Sequence, residues 1–354
     1  MRDVAVRGIA AALAAMVAAC TAPSVSPPLV IEAAAPEPRA PSFAAQAIDW
    51  ANANGQGGLR YRGGDFGEGD ERLHYVEAGE GPLVILHHGF PSFWLSMFDQ
   101  MEALKRCYRV VAVDGLGGGA SAKPDSLEPY RIDRLAARID ALARHLSGEA
   151  RYAFVGHDWG AALGWSMAQA YPERMLAVVA MSAPPTNLFL SLVRDDAEQQ
   201  QRSGYMQRFR TIDRGMLQSG IAGRIAAGGY ADLAARGHID TERAALLTAV
   251  LSDPATMDGG MNWYRANVPP FDQIEDSAIW PSASATTDIP VLAIWGEADE
   301  TFVPAWLDRA GNHARTLEIV RLPGIGHWTP MERPAEANTA IQRFFDRHAP
   351  GRCS

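Results

Sequence analysis

Cysteine is scarce in this chain, and positive charge is in deficit. Only 3 of 354 residues are Cys, and 32 Lys and Arg face 41 Asp and Glu, a net charge of -9 with no basic cluster. That balance argues against nucleic acid as a partner. No repeat of fixed period runs through the sequence, so a solenoid or propeller is excluded. The apolar run from Gly8 to Ala19 is shorter than the roughly 20 residues that cross a bilayer. Apolar residues as a whole are plentiful: 47% hydrophobic content suffices for a full core. The length suits two domains, or one large domain with an insertion.

Residues 1–20 read as a signal peptide, with Arg2 and Arg7 around a short n-region and Gly8 to Ala19 as its apolar segment. The run closes Val17-Ala18-Ala19-Cys20, which resembles a bacterial lipobox, with Cys20 as the acylated first residue of a lipoprotein. Simple cleavage near Ala19 is the alternative; either way the protein is expected to be exported, periplasmic or membrane-anchored. Residues 21–45 read as a tether. It carries six prolines by Ser42 and is too poor in aromatic and branched residues to bury a core. Cys107 and Cys353 then remain. An oxidising compartment permits a disulfide between them, while the tail-like setting of Cys353 suits two independent thiols.

From residue 46 the pattern changes. Apolar or alternating runs at Leu73–Gly79, Leu83–Leu86, Arg109–Asp114, Tyr152–Gly156, Leu176–Met181, Val291–Trp295 and Leu317–Val320 predict strands. Between them, Ile132, Leu135, Ala136, Ile139, Leu142, Ala143 and Leu146 recur at helical spacing up to Gly148. Strands alternating with helices predict an α/β fold with a mostly parallel, doubly wound sheet. The rhythm breaks over 184–285, where helices are expected at Asp195–Phe209, Asp240–Ser252 and Thr256–Asn267. The expected organisation is a core of 46–183 and 286–350, closed by a helix over Ala335–His348, with a helical lid inserted over the strand ends.

Gly156-His157-Asp158-Trp159-Gly160-Ala161 joins a buried strand to a helix with almost no room to turn. Small residues permit a sharp elbow, and Asp158 stands at its apex, where a nucleophile sits in such turns. The competing reading is an Asp that merely caps the helix. Asp299, in Gly296-Glu297-Ala298-Asp299, and His327, in Gly324-Ile325-Gly326-His327-Trp328, each follow a strand. Asp158, Asp299 and His327 thus occur in the order nucleophile, acid, histidine.

Together with His88-Gly89-Phe90-Pro91 and Asn262-Trp263-Tyr264-Arg265, these stretches resemble epoxide hydrolases of the α/β-hydrolase superfamily, from about Leu73 to His348. The resemblance implies that backbone N–H groups of Phe90 and Trp159 form an oxyanion hole. It further implies that Tyr264 and Tyr205, in Ser203-Gly204-Tyr205-Met206, hold an epoxide oxygen. The expected activity is opening of a small apolar epoxide by Asp158, giving an ester that water, activated by His327, hydrolyses to a vicinal diol. No metal or organic cofactor is required. A carboxylate, ordinarily ionised at neutral pH, needs no base to attack a strained carbon, whereas a tyrosine keeps a proton to donate.

Missing residues narrow the choice. Serine is absent from the elbow, which disfavours an esterase, and no Arg stands beside Asp158 as fluoroacetate-type dehalogenation would want. A haloalkane-type dehalogenase, using the same Asp, remains the alternative. Trp159 could supply one halide donor, but Phe90 offers no side-chain donor as a second. A non-catalytic binding protein would be expected to have lost a triad member, and all three are present. Two departures from the family pattern stand out. Leu116-Gly117-Gly118-Gly119 replaces an Arg-Gly-Tyr-Gly-like turn, and Met181-Ser182-Ala183-Pro184 carries no acid, leaving Asp299 to serve His327. Trp263, Phe271, Trp280, Met206 and Trp306 suggest an apolar pocket.

Overall fold

A computed structural model describes residues 42–276 and 279–353; the expected signal peptide, Cys20 and most of the tether lie outside them. Residues 41–354 belong to one compact unit. In chain order its elements are α1 (Phe43–Asn54), β1 (Arg62–Phe66), β2 (Leu73–Ala78), β3 (Leu83–His87), α2 (Phe98–Leu104), β4 (Arg109–Val113), α3 (Ile132–Ser147), β5 (Tyr152–His157), α4 (Trp159–Ala170) and β6 (Met175–Met181). There follow α5 (Thr186–Asp195), α6 (Ala197–Phe209), the single turn α7 (Arg214–Met216), α8 (Ala222–Ala235), α9 (Thr241–Leu251) and α10 (Pro254–Asn267). The chain then returns to the sheet with β7 (Val291–Gly296), α11 (Trp306–Ala310), β8 (Leu317–Leu322), α12 (Thr329–Glu332) and α13 (Pro334–His348).

The eight strands lie in the order β1-β2-β4-β3-β5-β6-β7-β8. The six from β4 to β8 run parallel; β2 is antiparallel to both β1 and β4. Every residue of β3, β5 and β7 is buried, because helices cover both faces of a parallel sheet. The predicted α/β fold is therefore observed, and all seven predicted strands form. An eighth, β1, was not expected: its Arg-Gly-Gly-Asp-Phe has little strand character. Pairing with β2 creates it, and the ring of Tyr75 lies over Gly64, where an added Cβ would collide with it.

The break between β6 and β7 is helical, but differs in detail from the expectation. The helix predicted over Asp195–Phe209 forms as α6 (Ala197–Phe209), and a helix that was not expected, α5, precedes it. Asp196 adopts an extended backbone and accepts from Gln199 N–H (2.9 Å), capping α6. The preceding α5 is buried along most of its length, with only Ser191, Arg194 and Asp195 reaching toward solvent. The last helix starts earlier than predicted, with Asp253 accepting from Thr256 N–H (3.0 Å) and Pro254 in the first turn. The glycine-rich α8 was not expected at all.

The tether ends sooner than residue 45. Ser42 caps α1, and Trp50 of that helix packs edge-on against Phe98 (5.0 Å between centroids). Arg243 of α9 lies over both rings and pairs with Asp99 (2.7 Å), so α1 and α2 are joined to the insertion through one buried guanidinium.

Cys107 and Cys353 are disulfide-bonded, with Cα atoms 5.2 Å apart. The tail is pinned there rather than frayed: Arg352 N–H donates to Cys107 O (3.0 Å) and Tyr108 Oη to Ala349 O (2.9 Å). The bond closes a loop of 246 residues. Its loss in Cys353→Ser is expected to cost about 2–4 kcal/mol. Denaturation with and without reductant checks this: the wild type should weaken under reductant to match the variant, which itself should be indifferent to reductant.

Candidate active site

Asp158 sits in a conformation few side chains tolerate. With φ 53° and ψ -118°, it is one of two described non-glycine residues at positive φ, beside Ser182. The turn is so tight that Gly156 rests on the backbone of Gly160, and Gly160 on that of His87 and His88. Although Asp158 precedes α4, its side chain makes no capping hydrogen bond. Its carboxylate points elsewhere: Oδ1 accepts from Phe90 N–H (2.8 Å) and Oδ2 lies 3.4 Å from His327 Nε2. The capping explanation therefore fails.

The second loop, after β3, is built around backbone proximity. Gly89 packs against the Asp158 carboxylate so closely that any Cβ would displace it. His88 braces this loop: Nδ1–H donates to Gly89 O (2.7 Å), leaving Nε2 to accept from Gly115 N–H (2.9 Å). That pairing settles its tautomer. Trp159 is the first residue of α4, so its N–H belongs to the donors that a helix leaves unpaired at its start.

Asp299 and His327 arrive from β7 and β8, whose following loops touch where Gly296 meets the backbone of Ile325 and Gly326. Asp299 Oδ2 is 2.9 Å from His327 Nδ1, and Oδ1 accepts from Thr301 N–H (2.7 Å). The buried His157 hydrogen-bonds His327 O through Nε2 (2.8 Å). One imidazole is thus gripped by carboxylates at both nitrogens, with its backbone held from below.

The charges of these groups depend on one another. Burial disfavours the imidazolium of His327, but Asp299 and Asp158 outweigh it and push the ring up to about 10. Both carboxylates are held below the usual range: burial alone would raise them, and His327 more than compensates. His157 falls to about 4, chiefly through burial and then through His327, so it stays neutral.

Tyr264 and Tyr205 both reach this centre from the helical insertion. Tyr264 packs edge-on to Trp159 (5.1 Å), Phe90 (5.5 Å) and Phe209 (5.1 Å), and lies 6.1 Å from Tyr205. Burial first, with Asp158 adding to it, drives both phenols far above their ordinary value, so each keeps its proton. Asp158, Trp159, Tyr264, Met206, Phe189 and Phe302 bound a small apolar cavity. Of the five residues expected to line a pocket, two do so at this centre, Met206 on this cavity and Trp263 on an adjoining hollow beside Phe90 and Trp159. Trp263 is fixed there by donating to Leu116 O (2.8 Å), whereas Trp306 packs behind Trp295 and Trp280 borders a separate hollow. Phe189 and Phe302 carry no local signal that separates them from core residues.

The glycine turn after β4 has a use. Gly117 (φ 84°) and Gly259 of α10 meet backbone to backbone with no space for a Cβ on either. That contact lets α10, and Tyr264 with it, sit low over the strand ends.

Comparison with known proteins follows the same lines. The family described as alpha/beta hydrolase fold matches residues 82–334. Epoxide hydrolase A of Mycobacterium tuberculosis is 32% identical over 308 residues, covering 77% of this chain and 94% of its own. Bifunctional epoxide hydrolase 2 of Sus scrofa is 28% identical over 306 residues; the match takes in 78% of this chain but only 54% of that longer protein, so the chain spans about half its length. Among solved structures, epoxide hydrolase A from Mycobacterium thermoresistibile superposes with a TM-score of 0.66 at 30% identity, over 82% of this chain and 100% of that one.

Proposed function

This chain belongs to the epoxide hydrolase family of the α/β-hydrolase superfamily, and we propose that it opens a small apolar epoxide to a vicinal diol through an ester on Asp158. The observation that carries the reading is the buried Tyr264, which shares the wall of an apolar cavity with Asp158, and the half-buried Tyr205 packed against it (6.1 Å between ring centroids). Proton donors so placed suit a leaving group that becomes an alkoxide but remains part of the product.

The reaction then runs in two stages. Asp158 Oδ attacks a ring carbon, the ring C–O bond breaks, and the alkoxide takes a proton from a tyrosine. Esterification removes the charge of Asp158, and with it one of the two carboxylates that keep His327 protonated. His327 releases its proton as the tyrosinate regains one, which leaves a neutral imidazole oriented by Asp299. That base deprotonates a water attacking the Asp158 carbonyl carbon. The Phe90 and Trp159 amides stabilise the oxyanion, an effect of roughly 3 kcal/mol per donor. The tetrahedral species collapses, the diol leaves with the proton held by His327, and the new Asp158 carboxyl group passes its own proton to His327, restoring the carboxylate and the imidazolium of the resting site.

A single turnover of styrene oxide in ¹⁸O-labelled water, with enzyme in excess, tests this. The label is expected in the peptide containing Asp158 and not in the diol. Label in the diol on the first turnover would mean direct attack by water.

The helical segment between β6 and β7 would serve as the cap that supplies the tyrosines. Export is supported by the Cys107–Cys353 bond, a linkage that persists in oxidising compartments. Cell fractionation checks it, with the protein expected outside the cytoplasm.

A further inference from the structure

Glu332 has no place in the chemistry above, yet its carboxylate is fitted against the backbone on both sides of His327. It lies at the end of α12, five residues on, with its side chain 2% exposed. Its Oε2 accepts from Gly326 N–H (3.2 Å) and its Oε1 from Trp328 N–H (3.1 Å). One carboxylate therefore holds the amides on both sides of the histidine. The fit is close, since a Cβ added at Gly326 would come 2.9 Å from Oε1. From another element, His157 holds the carbonyl of His327 itself.

A buried carboxylate needs compensation. Two N–H donors provide part of it, and Arg236 the rest, with Nη2 3.1 Å from Oε2. Arg236 follows α8 of the helical insertion and is 47% exposed. The histidine loop is thus tied by one ion pair to the same insertion that delivers Tyr205 and Tyr264.

We infer that Glu332 is a positioning residue for the hydrolytic stage, holding His327 so that Nε2 faces the Asp158 carbonyl, with Arg236 securing that hold from the insertion. The inference rests on the aspartyl-ester reading. The two stages place different demands on His327. Alkylation needs an ionised Asp158 and a tyrosine proton, neither of which requires a proton transfer to the imidazole. Hydrolysis needs Nε2 aligned with a water that is itself aligned with the ester carbon, and misplacement by about 1 Å in such a step costs on the order of 100-fold. Loosening the backbone around His327 should therefore slow the second stage alone.

Glu332→Gln keeps the shape but turns an amide nitrogen toward one of the two N–H donors. In single-turnover experiments with styrene oxide, its ester hydrolysis is expected to slow at least about 10-fold while alkylation stays within about threefold of wild type. Intact-protein mass spectrometry should then show the ester persisting. Equal slowing of both stages, or of neither, would overturn the assignment, because a merely structural defect does not choose between them. Arg236→Met, on the surface, keeps both amide contacts and serves if Glu332→Gln does not fold. Its hydrolysis is expected to slow about threefold with alkylation unchanged, and equal rates for both stages would again overturn the idea. His327→Gln separates the two readings. Ester in that variant with none in Glu332→Gln removes only the role of Glu332, whereas no ester in either removes the aspartyl-ester mechanism.

Discussion

His327→Gln mixed with styrene oxide is expected to gain the mass of one whole epoxide and to keep it. Attack by Asp158 does not consume the histidine, and Phe90 N–H still steadies the attacking carboxylate. Release of the product does require a base at the position of Nε2, and its removal should slow hydrolysis by a factor on the order of 100 to 10,000. Intact-protein mass spectrometry reads the adduct, and Asp158→Ala must lack it. The same adduct in Asp158→Ala would assign the covalent bond to another side chain. A bromoalkane run in parallel distinguishes the chemistry: an alkyl adduct from it alone would mark a dehalogenase.

The wild type should show the reciprocal behaviour with pH. His327 lies at about 10 only while Asp158 and Asp299 are both charged. In the ester Asp158 is neutral, so the imidazole titrates lower. The ester's decay should then quicken as pH rises through that lowered value and level off below the free enzyme's. Quenched single turnovers across pH would show this, and a decay rate independent of pH would remove His327 as the base.

The second large effect is expected at the tyrosines. Phe at position 264 or 205 keeps the ring contacts with Trp159, Phe90 and Phe209 and deletes only the hydroxyl. Each single change, Tyr264→Phe or Tyr205→Phe, should slow alkylation roughly 10- to 100-fold, since the remaining phenol still donates. The double change should reach the full contribution of a general acid, about 100- to 10,000-fold. Hydrolysis of the ester, once formed, should be unaffected. Rates within about twofold of wild type in the double variant would end the reading that depends on these two phenols.

Much of this centre could be read from short stretches of chain, because local chemistry dictates them. A run such as Leu83–Leu86 is too apolar to lie anywhere but inside a sheet. Gly156, Gly160 and Ala161 around Asp158 are the residues a sharp elbow requires, and polar groups following successive strands fall at one edge of a parallel sheet. Asp158, Asp299 and His327 were therefore visible together although 141 and 28 residues separate them in turn. The acid-free end of β6 also pointed to Asp299, which the 2.9 Å contact with His327 matches.

What escaped that reading depends on partners distant in the chain. Whether Cys107 meets Cys353 turns on where the last helix delivers its tail. An aromatic residue is equally suited to core and cavity, so Phe189 and Phe302 border the cavity while Trp306 is lost behind Trp295. β1 exists only because β2 is beside it. Glu332 looks like any glutamate near the start of a helix until the two amides flanking His327 are seen to converge on it. Composition and local pattern suffice for strands, elbow and the order of charged groups, since each is a preference of a few adjacent residues. The pairing of cysteines, the walls of the cavity and the hold on His327 come from long-range packing, which no short window of sequence contains.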